Sequence, residues 1–518
     1  MPAPGHRRGG ARDAKLRERK SGVTSARPPI GPGMVGGTYR PLSADDVERL
    51  HGGALTILAD LGLADSPDFL IDAATEAGAE HGSDGRLRFP RRLIEEVIAG
   101  AARDFTLHGR SPDRDLDITD QRVHYGTGGA AINVLEVGTD TYRPSLLTDL
   151  YDFTRVADQL PNVHWFTRCL IATDLPDPYE LDINTAYALA AGTNKHVGTA
   201  ITVPENVAPV IELFDLVAGG PGAYAERPFC KLHSSPIVPP LRYGADACIT
   251  LREAVRHGMP ISAITAGQAG ATSPASLAGT LVQTHAETLA ALVLVNLIEP
   301  GHPMIFSNWP FVSDLRTGSM VGGAAETAVL NAASAQLISH LNLPSGVAAG
   351  MADSKVPDVQ AGYEKGITTA LAGLAGANLV YESAGMLASL LGASLEQLVI
   401  DDEMLGSALR TVRGIEVTDE TMGLDVIAEA VLGPGHFLGS AQTLSLMETE
   451  YVYPGIGDRS TPGEWAERGA RHQRDAAQER VREHLAAAVH HIDPERDRAV
   501  RNRFTIVLGE GIMAPWSA

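Results

Sequence analysis

The sequence predicts an α/β protein built on one eight-stranded (β/α)8 barrel, a TIM barrel, over residues 122–412. In this region short apolar runs alternate with long Ala- and Leu-rich stretches of helical periodicity, which is typical of parallel strands joined by helices. Eight strands buried on both faces close most naturally into a barrel, although an open doubly wound sheet uses the same units. The eight apolar runs are 123–127, 163–172, 196–202, 229–233, 261–266, 303–307, 345–349 and 377–382.

Residues 37–121 are predicted to form an N-terminal lid region of helices and a hairpin. Segment 43–63 begins with Ser-Ala-Asp-Asp and continues with apolar residues at helical spacing, which indicates an N-capped amphipathic helix. Segment 91–102 predicts a second helix, and 105–119 is short and rich in turns and Asp, as expected of a hairpin.

The two ends of the chain differ from this body. Residues 1–36 predict a disordered basic tail, because 1–27 hold eight Arg or Lys against Asp13 and Glu18, a local charge of +6. Residues 413–518 form a C-terminal extension punctuated by Gly and Pro, in which 464–491 predicts a charged amphipathic helix. Such a helix would cover a barrel end or meet a second subunit, so a homo-oligomer is an open expectation.

Charge and composition exclude several functions. The net charge of −21 argues against nucleic-acid or anionic-membrane partners, since phosphate binding needs clustered positive charge. The chain lacks both a run of ~18 apolar residues and a secretion signal, so we expect a cytoplasmic protein. Its cysteines, Cys169, Cys230 and Cys248, have no paired spacing and are expected to be buried thiols. No zinc motif occurs among the scattered histidines, and we expect no metal site.

Candidate site residues follow the predicted strands, because barrel enzymes carry their active sites at the C-terminal ends of the strands. The loop from Asn308 to Phe311 holds two large rings in a chain with only 5% aromatic residues. They either pack against the barrel rim or form a cage for a quaternary ammonium ion, which aromatic faces attract. The candidate substrate-binding residues are Tyr125, His233, Gln268, Asn308, Trp309, Phe311, Asp314, Arg316, Met351 and Glu382.

The body of the chain, about residues 40–470, resembles a known family in several long sequence segments. They are HYGTGGAAINVLE (124–136), LPNVHWFTR (160–168), LDINTAYALAAGTNKHVGTAI (181–201), QAGATSPASLAGTLVQ (268–283), NWPFVSDLRTGSM (308–320), LPSGVAAGMADSKVPDVQAGYEKG (343–366), GANLVYESAGMLASLLG (376–392) and YVYPGIGDRSTPGEWAE (451–467). These segments resemble the trimethylamine methyltransferase family of corrinoid-dependent enzymes. The resemblance implies a β/α barrel that moves a methyl group from a methylated amine to the cobalt of a corrinoid (cobalamin) carried by a separate cognate protein.

The resemblance also narrows the substrate. Archaeal trimethylamine enzymes of the family carry pyrrolysine in the pocket, which we would place near residues 349–351, and this chain has ordinary residues there. A quaternary ammonium leaves as a neutral amine and needs no such activation, so a glycine betaine-like donor is favoured. Carnitine, proline betaine and choline are also admissible. Trimethylamine, a barrel lyase or demethylase acting without cobalt, and a non-catalytic quaternary amine sensor are the alternatives.

The roles of the candidate residues that lie within these segments are hypotheses. Trp309, Phe311 and Tyr125 are the proposed cage walls, and Asn308, Gln268 and His233 are the proposed polar orienting groups. Asp314 and Glu382 would offset the cationic nitrogen, although Asp314 could equally form a structural ion pair with Arg316. A betaine carboxylate could be bound by Arg316, by His233 or by backbone N–H groups at a helix start.

Overall fold

The computed structural model describes residues 39–447 and 449–514. The predicted basic tail, residues 1–36, lies outside the described residues. Cys169, Cys230 and Cys248 are free and buried, as expected from their spacing.

Eight parallel strands form the central sheet, and each overlaps one of the eight predicted runs; the fourth and the sixth end one residue beyond theirs. The strands are β1 (His124–Tyr125), β2 (Phe166–Thr167), β3 (Val197–Thr199), β4 (Cys230–Ser234), β5 (Ile261–Thr265), β6 (Met304–Asn308), β7 (Ser345–Ala348) and β8 (Leu379–Tyr381). Their order in the sheet is β1-β8-β7-β6-β5-β4-β3-β2. A parallel bridge between Gly126 and Trp165 joins the two outer strands, and the backbone N–H of His164 donates to the carbonyl of Tyr125 at 2.8 Å. The sheet is therefore closed, and the predicted barrel is confirmed over the open alternative.

Each strand is followed by one long helix, which completes the eight β/α units. The helices are α1 (Leu147–Asp158), α2 (Pro178–Gly192), α3 (Val207–Ala218), α4 (Ala245–Arg256), α5 (Leu277–Ile298), α6 (Ala325–His340), α7 (Val359–Leu374) and α8 (Leu395–Arg413). Side-chain caps begin several of them: Asp358 accepts from the N–H of Ala361 at the start of α7. Helix α5 is long and apolar enough to cross a membrane, but 78% of its most apolar window is buried within the protein.

The N-terminal region packs on the outside and on one end of the barrel. It contains helices Ala44–Thr56, Asp68–Glu76 and Arg91–Gly100, a π-helical turn Ile57–Leu61, and strand pairs Glu80–His81 with Leu87–Arg88 and Phe105–Leu107 with Leu116–Ile118. Ser43 caps the first helix by accepting from the N–H of Asp46, as predicted. The second hairpin closes the N-terminal end of the barrel, because Leu107 and Ile118 join the same apolar cluster as Leu379 of β8. This end lies opposite the candidate site.

The C-terminal extension contains short helices with one longer one. They are Asp419–Met422, Leu424–Leu432, Ala441–Leu446, Pro462–Glu467, Gln473–Ala487, Pro494–Arg503 and Glu510–Met513. The prediction of one continuous helix over 464–491 was wrong, because the chain turns at Gly469 and Ala470, whose φ angles are +91° and +51°. Helix Gln473–Ala487 packs against α1 and α8, so it covers the side of the barrel and not an end.

Residues 415–447 and 449–453 form an arm with many exposed apolar side chains. At its base the carboxylate of Glu403 on α8 accepts hydrogen bonds from the N–H groups of Ile456 and Gly457 at 2.8 and 2.9 Å. Exposed apolar patches of this kind are typical of protein interaction surfaces. The exposed large apolar residues of the arm are Ile415, Val417, Met422, Leu424, Ile427, Val431, Leu432, Phe437, Leu438, Leu444, Met447, Tyr451 and Tyr453.

Candidate active site

A cavity of about 520 Å³ lies at the C-terminal ends of the barrel strands. Its walls are built from residues at or beyond the C-terminal ends of β1 to β6 and β8. This is the end of the barrel at which such folds carry their chemistry. Four of the ten predicted site residues line the cavity: His233, Trp309, Phe311 and Glu382.

Aromatic rings form one wall of this cavity. The Trp309 side chain, only 5% exposed, has its ring centroid 5.0 Å from that of Tyr381 and 5.4 Å from that of His233. Tyr381 is held in place because its hydroxyl shares a hydrogen bond of 2.7 Å with the hydroxyl of Ser262. The Trp309 ring therefore packs against two neighbouring rings, and it presents the kind of π surface that attracts a cation.

Glu382 places a buried carboxyl group beside this wall. The residue follows β8 in a left-handed conformation (φ +62°), and its side chain is fully buried. Neither carboxyl oxygen has a hydrogen-bond partner among the described residues. Burial raises the pKa of Glu382 to about 8, and the positive charge of Lys365 offsets only part of that effect. Lys365 itself is paired with Asp401 at 3.2 Å. The carboxyl group is thus available to a ligand.

His233 contributes a neutral ring. Its Nδ1 is buried without a hydrogen-bond partner in the described part of the chain. Burial, followed by the positive charges of Lys231 and Arg168, holds the pKa of His233 well below its usual range. The imidazole is therefore uncharged at neutral pH and does not repel a cationic ligand.

Two basic residues near the cavity were missed by the sequence analysis. Arg168 follows β2 and lines the cavity, and burial lowers the pKa of its guanidinium group. Lys231 lies on β4 one layer below His233, with its Nζ 4.2 Å from the ring centroid of Trp165. Burial lowers the pKa of Lys231 to about 7. The available signal was a charged residue inside each of the predicted apolar runs 163–172 and 229–233.

The structure places Tyr125 and Asn308 outside the cavity. The hydroxyl of Tyr125 donates to the carbonyl of Thr369 on α7 at 2.9 Å, so this side chain points toward the helix layer. Asn308 lies on the same face of β6 as Met304 and Phe306, whose side chains belong to the core outside the barrel. Neither Tyr125 nor Asn308 therefore lines this cavity.

Gln268 and Met351 are also absent from the residues that line the cavity. The N–H of Gln268 bonds to the hydroxyl of Thr272 at 2.9 Å, within the loop after β5. Met351 is fully buried and packs against Gly322. A Cβ added to Gly322 would come within 2.8 Å of the Cβ of Met351. Both residues support the loops around the site.

Asp314 and Arg316 form a surface ion pair in a neighbouring cleft of about 770 Å³. Their side chains are 2.9 Å apart, and hydrogen bonds from Arg316 lower the pKa of Asp314 to about 2. The alternative of a structural ion pair therefore fits the geometry. In residues 39–447 and 449–514, no group of three or more His, Cys, Asp or Glu side chains is placed to hold a metal ion.

The closed barrel with its cavity at the strand ends defines a TIM-barrel enzyme, and comparison with known proteins gives its family. The family model described as trimethylamine methyltransferase (MTTB) matches residues 7–506. The chain belongs to this family and is a methyltransferase, a transferase of class EC 2.1.1.

Two characterised relatives have equal identity to this chain. It is 31% identical over 430 residues to the trimethylamine methyltransferase MttB of Desulfitobacterium hafniense (strain DSM 10664 / DCB-2), covering 83% of this chain and 86% of that relative. It is also 31% identical over 434 residues to the glycine betaine methyltransferase of Desulfitobacterium hafniense (strain Y51), covering 83% and 88%. A solved structure of the MtmB complex with hydroxylamine has a TM-score of 0.50 at 12% identity, covering 86% of this chain and 88% of that one, and supports the fold alone.

Proposed function

We propose that this methyltransferase removes a methyl group from a small quaternary amine such as glycine betaine. The methyl acceptor is the cobalt(I) of a corrinoid carried by a separate cognate protein. One observation carries the proposal: the buried carboxyl group of Glu382, whose oxygens have no partner in the described chain, lies in the same cavity as the ring of Trp309. A carboxylate and an aromatic face are the two groups that stabilise a quaternary ammonium ion.

The chemistry needs no general acid, which agrees with this set of side chains. The electron pair of the acceptor forms a bond to the methyl carbon, and the pair of the breaking C–N bond stays on nitrogen. The leaving amine is neutral, so no proton has to be supplied. The protein's part is to hold the methyl carbon toward the acceptor and to replace water around the cation with aromatic and carboxylate groups.

Glu382 couples binding to proton release. With a pKa of about 8 the empty site holds a neutral carboxylic acid at neutral pH. A permanent cation nearby stabilises the carboxylate form and lowers that pKa, so binding releases a proton. The cation is thereby neutralised beside a fully buried carboxyl group.

Trimethylamine is the second candidate donor, since one of the two equally similar relatives is named for it. Unlike a quaternary amine, it carries no permanent charge in its unprotonated form. Glu382 would gain nothing from ionising beside that form. Protonated trimethylamine, in contrast, would pair with ionised Glu382 as a quaternary amine does, so the transfer assay and not proton release distinguishes the two donors.

The experiment that tests the proposal follows the cobalt(I) absorption of reduced free cobalamin, or of the cognate corrinoid protein. The purified chain is added together with glycine betaine, choline, carnitine or trimethylamine. We expect the cobalt(I) signal to disappear with a quaternary amine and only when the chain is present. Substrate conversion without any corrinoid would indicate a lyase or demethylase. Tight binding of a quaternary amine without transfer to any corrinoid would support a sensor instead.

A further inference from the structure

We infer that Arg168 is a specificity-determining residue that binds the carboxylate of a zwitterionic substrate. The inference rests on the proposed function and adds a second recognition point to the same cavity. Arg168 follows β2, and its backbone N–H donates to the carbonyl of Gly198 at 3.0 Å. The residue is thus fixed to the barrel frame and not to a mobile loop.

The guanidinium group of Arg168 has no acidic partner in the described chain. Its Nε is buried without an acceptor. The negative charge of Asp182 raises the pKa of Arg168 and so opposes the effect of burial. The Asp182 carboxylate, however, already accepts three hydrogen bonds, from the N–H and hydroxyl of Thr202 at 2.8 and 2.7 Å and from Nδ2 of Asn206 at 2.7 Å. Arg168 is half-buried, and a charge that is partly withdrawn from water without a partner is costly to the folded protein, so a bound anion would stabilise it.

The surroundings of Arg168 fit a small carboxylate. A planar guanidinium can donate two parallel hydrogen bonds to a carboxylate, which an ammonium group cannot do. The side chains of Ser234 and Ser235 line the same cavity and bring further hydroxyl groups. The neutral ring of His233 lines the same cavity, with its centroid 5.4 Å from that of the Trp309 ring.

Arg168 and Glu382 give the cavity two opposite charges at two separate positions. Arg168 follows β2 and Glu382 follows β8, and these two strands flank β1 in the barrel. Strands two positions apart are separated by roughly 10 Å, which leaves room for a small molecule between the two side chains. A betaine carries its cation and its carboxylate at opposite ends. It can therefore pair with Glu382 and Arg168 at the same time, whereas choline and protonated trimethylamine can pair only with Glu382.

Binding measurements on the full chain test this inference without any corrinoid. Calorimetry compares glycine betaine with choline, which has the same trimethylammonium group but no carboxylate. For Arg168→Gln we expect the affinity for glycine betaine to fall roughly 10- to 100-fold, the size expected for a charge-assisted pair, while the affinity for choline stays within about twofold. For Arg168→Lys we expect an intermediate loss, since the charge is kept and the paired geometry is lost.

Arg110 provides the matched control. It is another arginine whose Nε is buried without an acceptor in the described residues, but its Nη2 donates to the carbonyl of Thr193 at 3.0 Å and it does not line the cavity. We expect Arg110→Gln to leave both affinities unchanged. An equal loss for both ligands in Arg168→Gln, or no loss for either, would overturn the inference and leave the proposed function intact. If the unmodified chain bound no quaternary amine at all, the proposed function and this inference would fall together.

Discussion

The carboxyl group of Glu382 lies directly against Gly129, in the loop after β1. A Cβ added to Gly129 would come within 2.9 Å of Oε2 of Glu382, and one added to Gly128 would come within 3.1 Å of Oε1. The two glycines therefore leave the space that the carboxyl group occupies. Gly129 also has a φ angle of +110°, which L side chains rarely adopt.

The first prediction concerns this contact. We expect Gly129→Ala to displace the carboxyl group and to weaken the binding of a quaternary amine by about tenfold or more. Gly85→Ala is the control, because Gly85 has a φ angle of +73° but nothing within 4 Å of an added Cβ. Both variants should lose thermal stability through backbone strain, and only Gly129→Ala should lose affinity in calorimetry. Equal affinity in the two variants would contradict the assigned role of Glu382.

The second prediction is a pH dependence of ligand binding. Because the pKa of Glu382 is about 8 in the empty site, the affinity for a quaternary cation should rise with pH up to about 8 and then level off. The rise approaches tenfold per pH unit where one proton is released on binding. Titrations from pH 6 to pH 9, in buffers with different ionisation enthalpies, measure both the affinity and the released proton. Glu382→Gln should bind more weakly and lose most of this dependence.

The third prediction concerns the stability of the ligand-free protein. The pKa of Glu382 is raised from its usual value of 4.5 to about 8, so the folded state holds a proton that the unfolded chain releases. Its contribution to stability is complete below about 4.5 and is lost as the pH rises through 8. We expect Glu382→Gln to become more stable than the unmodified protein by a few kcal/mol at pH 9, as measured by chemical denaturation. A difference that does not change with pH would contradict this assignment.

The fold could be predicted because its signal is repeated eight times along the chain. Each apolar run buried on both faces is followed by a helical stretch, and an error of two residues in one run does not change the pattern. The break at Gly469 was not predicted, since charged residues continue at helical spacing on both sides of it. Only the backbone angles of Gly469 and Ala470 reveal that two helices meet there.

The site was predicted only in part, because position at a strand end does not determine the direction of a side chain. Trp309 and Glu382 reach the cavity, whereas Tyr125 and Asn308 face the helix layer. Barrel strands here are as short as two residues, and an offset of one residue moves a side chain to the opposite face. Arg168 was missed because the predicted run 163–172 extends beyond the true end of β2 at Thr167.

The fourth prediction tests the position of Tyr125. Its hydroxyl makes a buried hydrogen bond to the carbonyl of Thr369, away from the cavity. We expect Tyr125→Phe to destabilise the protein by about 0.5 to 1.5 kcal/mol, because one buried hydrogen bond to the carbonyl of Thr369 is lost. The affinity for quaternary amines should not change. A clear loss of affinity without a loss of stability would show that Tyr125 takes part in ligand binding.

The last prediction separates the aromatic contribution of Trp309 from simple apolar contact. A cation over an indole ring gains about 0.5 to 2 kcal/mol of electrostatic attraction that a neutral group of the same shape does not gain. 3,3-Dimethylbutyrate has the shape of glycine betaine with a carbon in place of the charged nitrogen. We therefore expect Trp309→Leu to weaken glycine betaine several-fold more than it weakens 3,3-dimethylbutyrate, and Trp309→Phe to preserve most of the difference. The double variant Trp309→Ala with Phe311→Ala should lower turnover of a quaternary substrate several-fold or more. Unchanged turnover in that double variant, confirmed as folded by its thermal transition, would rule out the aromatic cage and leave Glu382 as the sole group that recognises the cation.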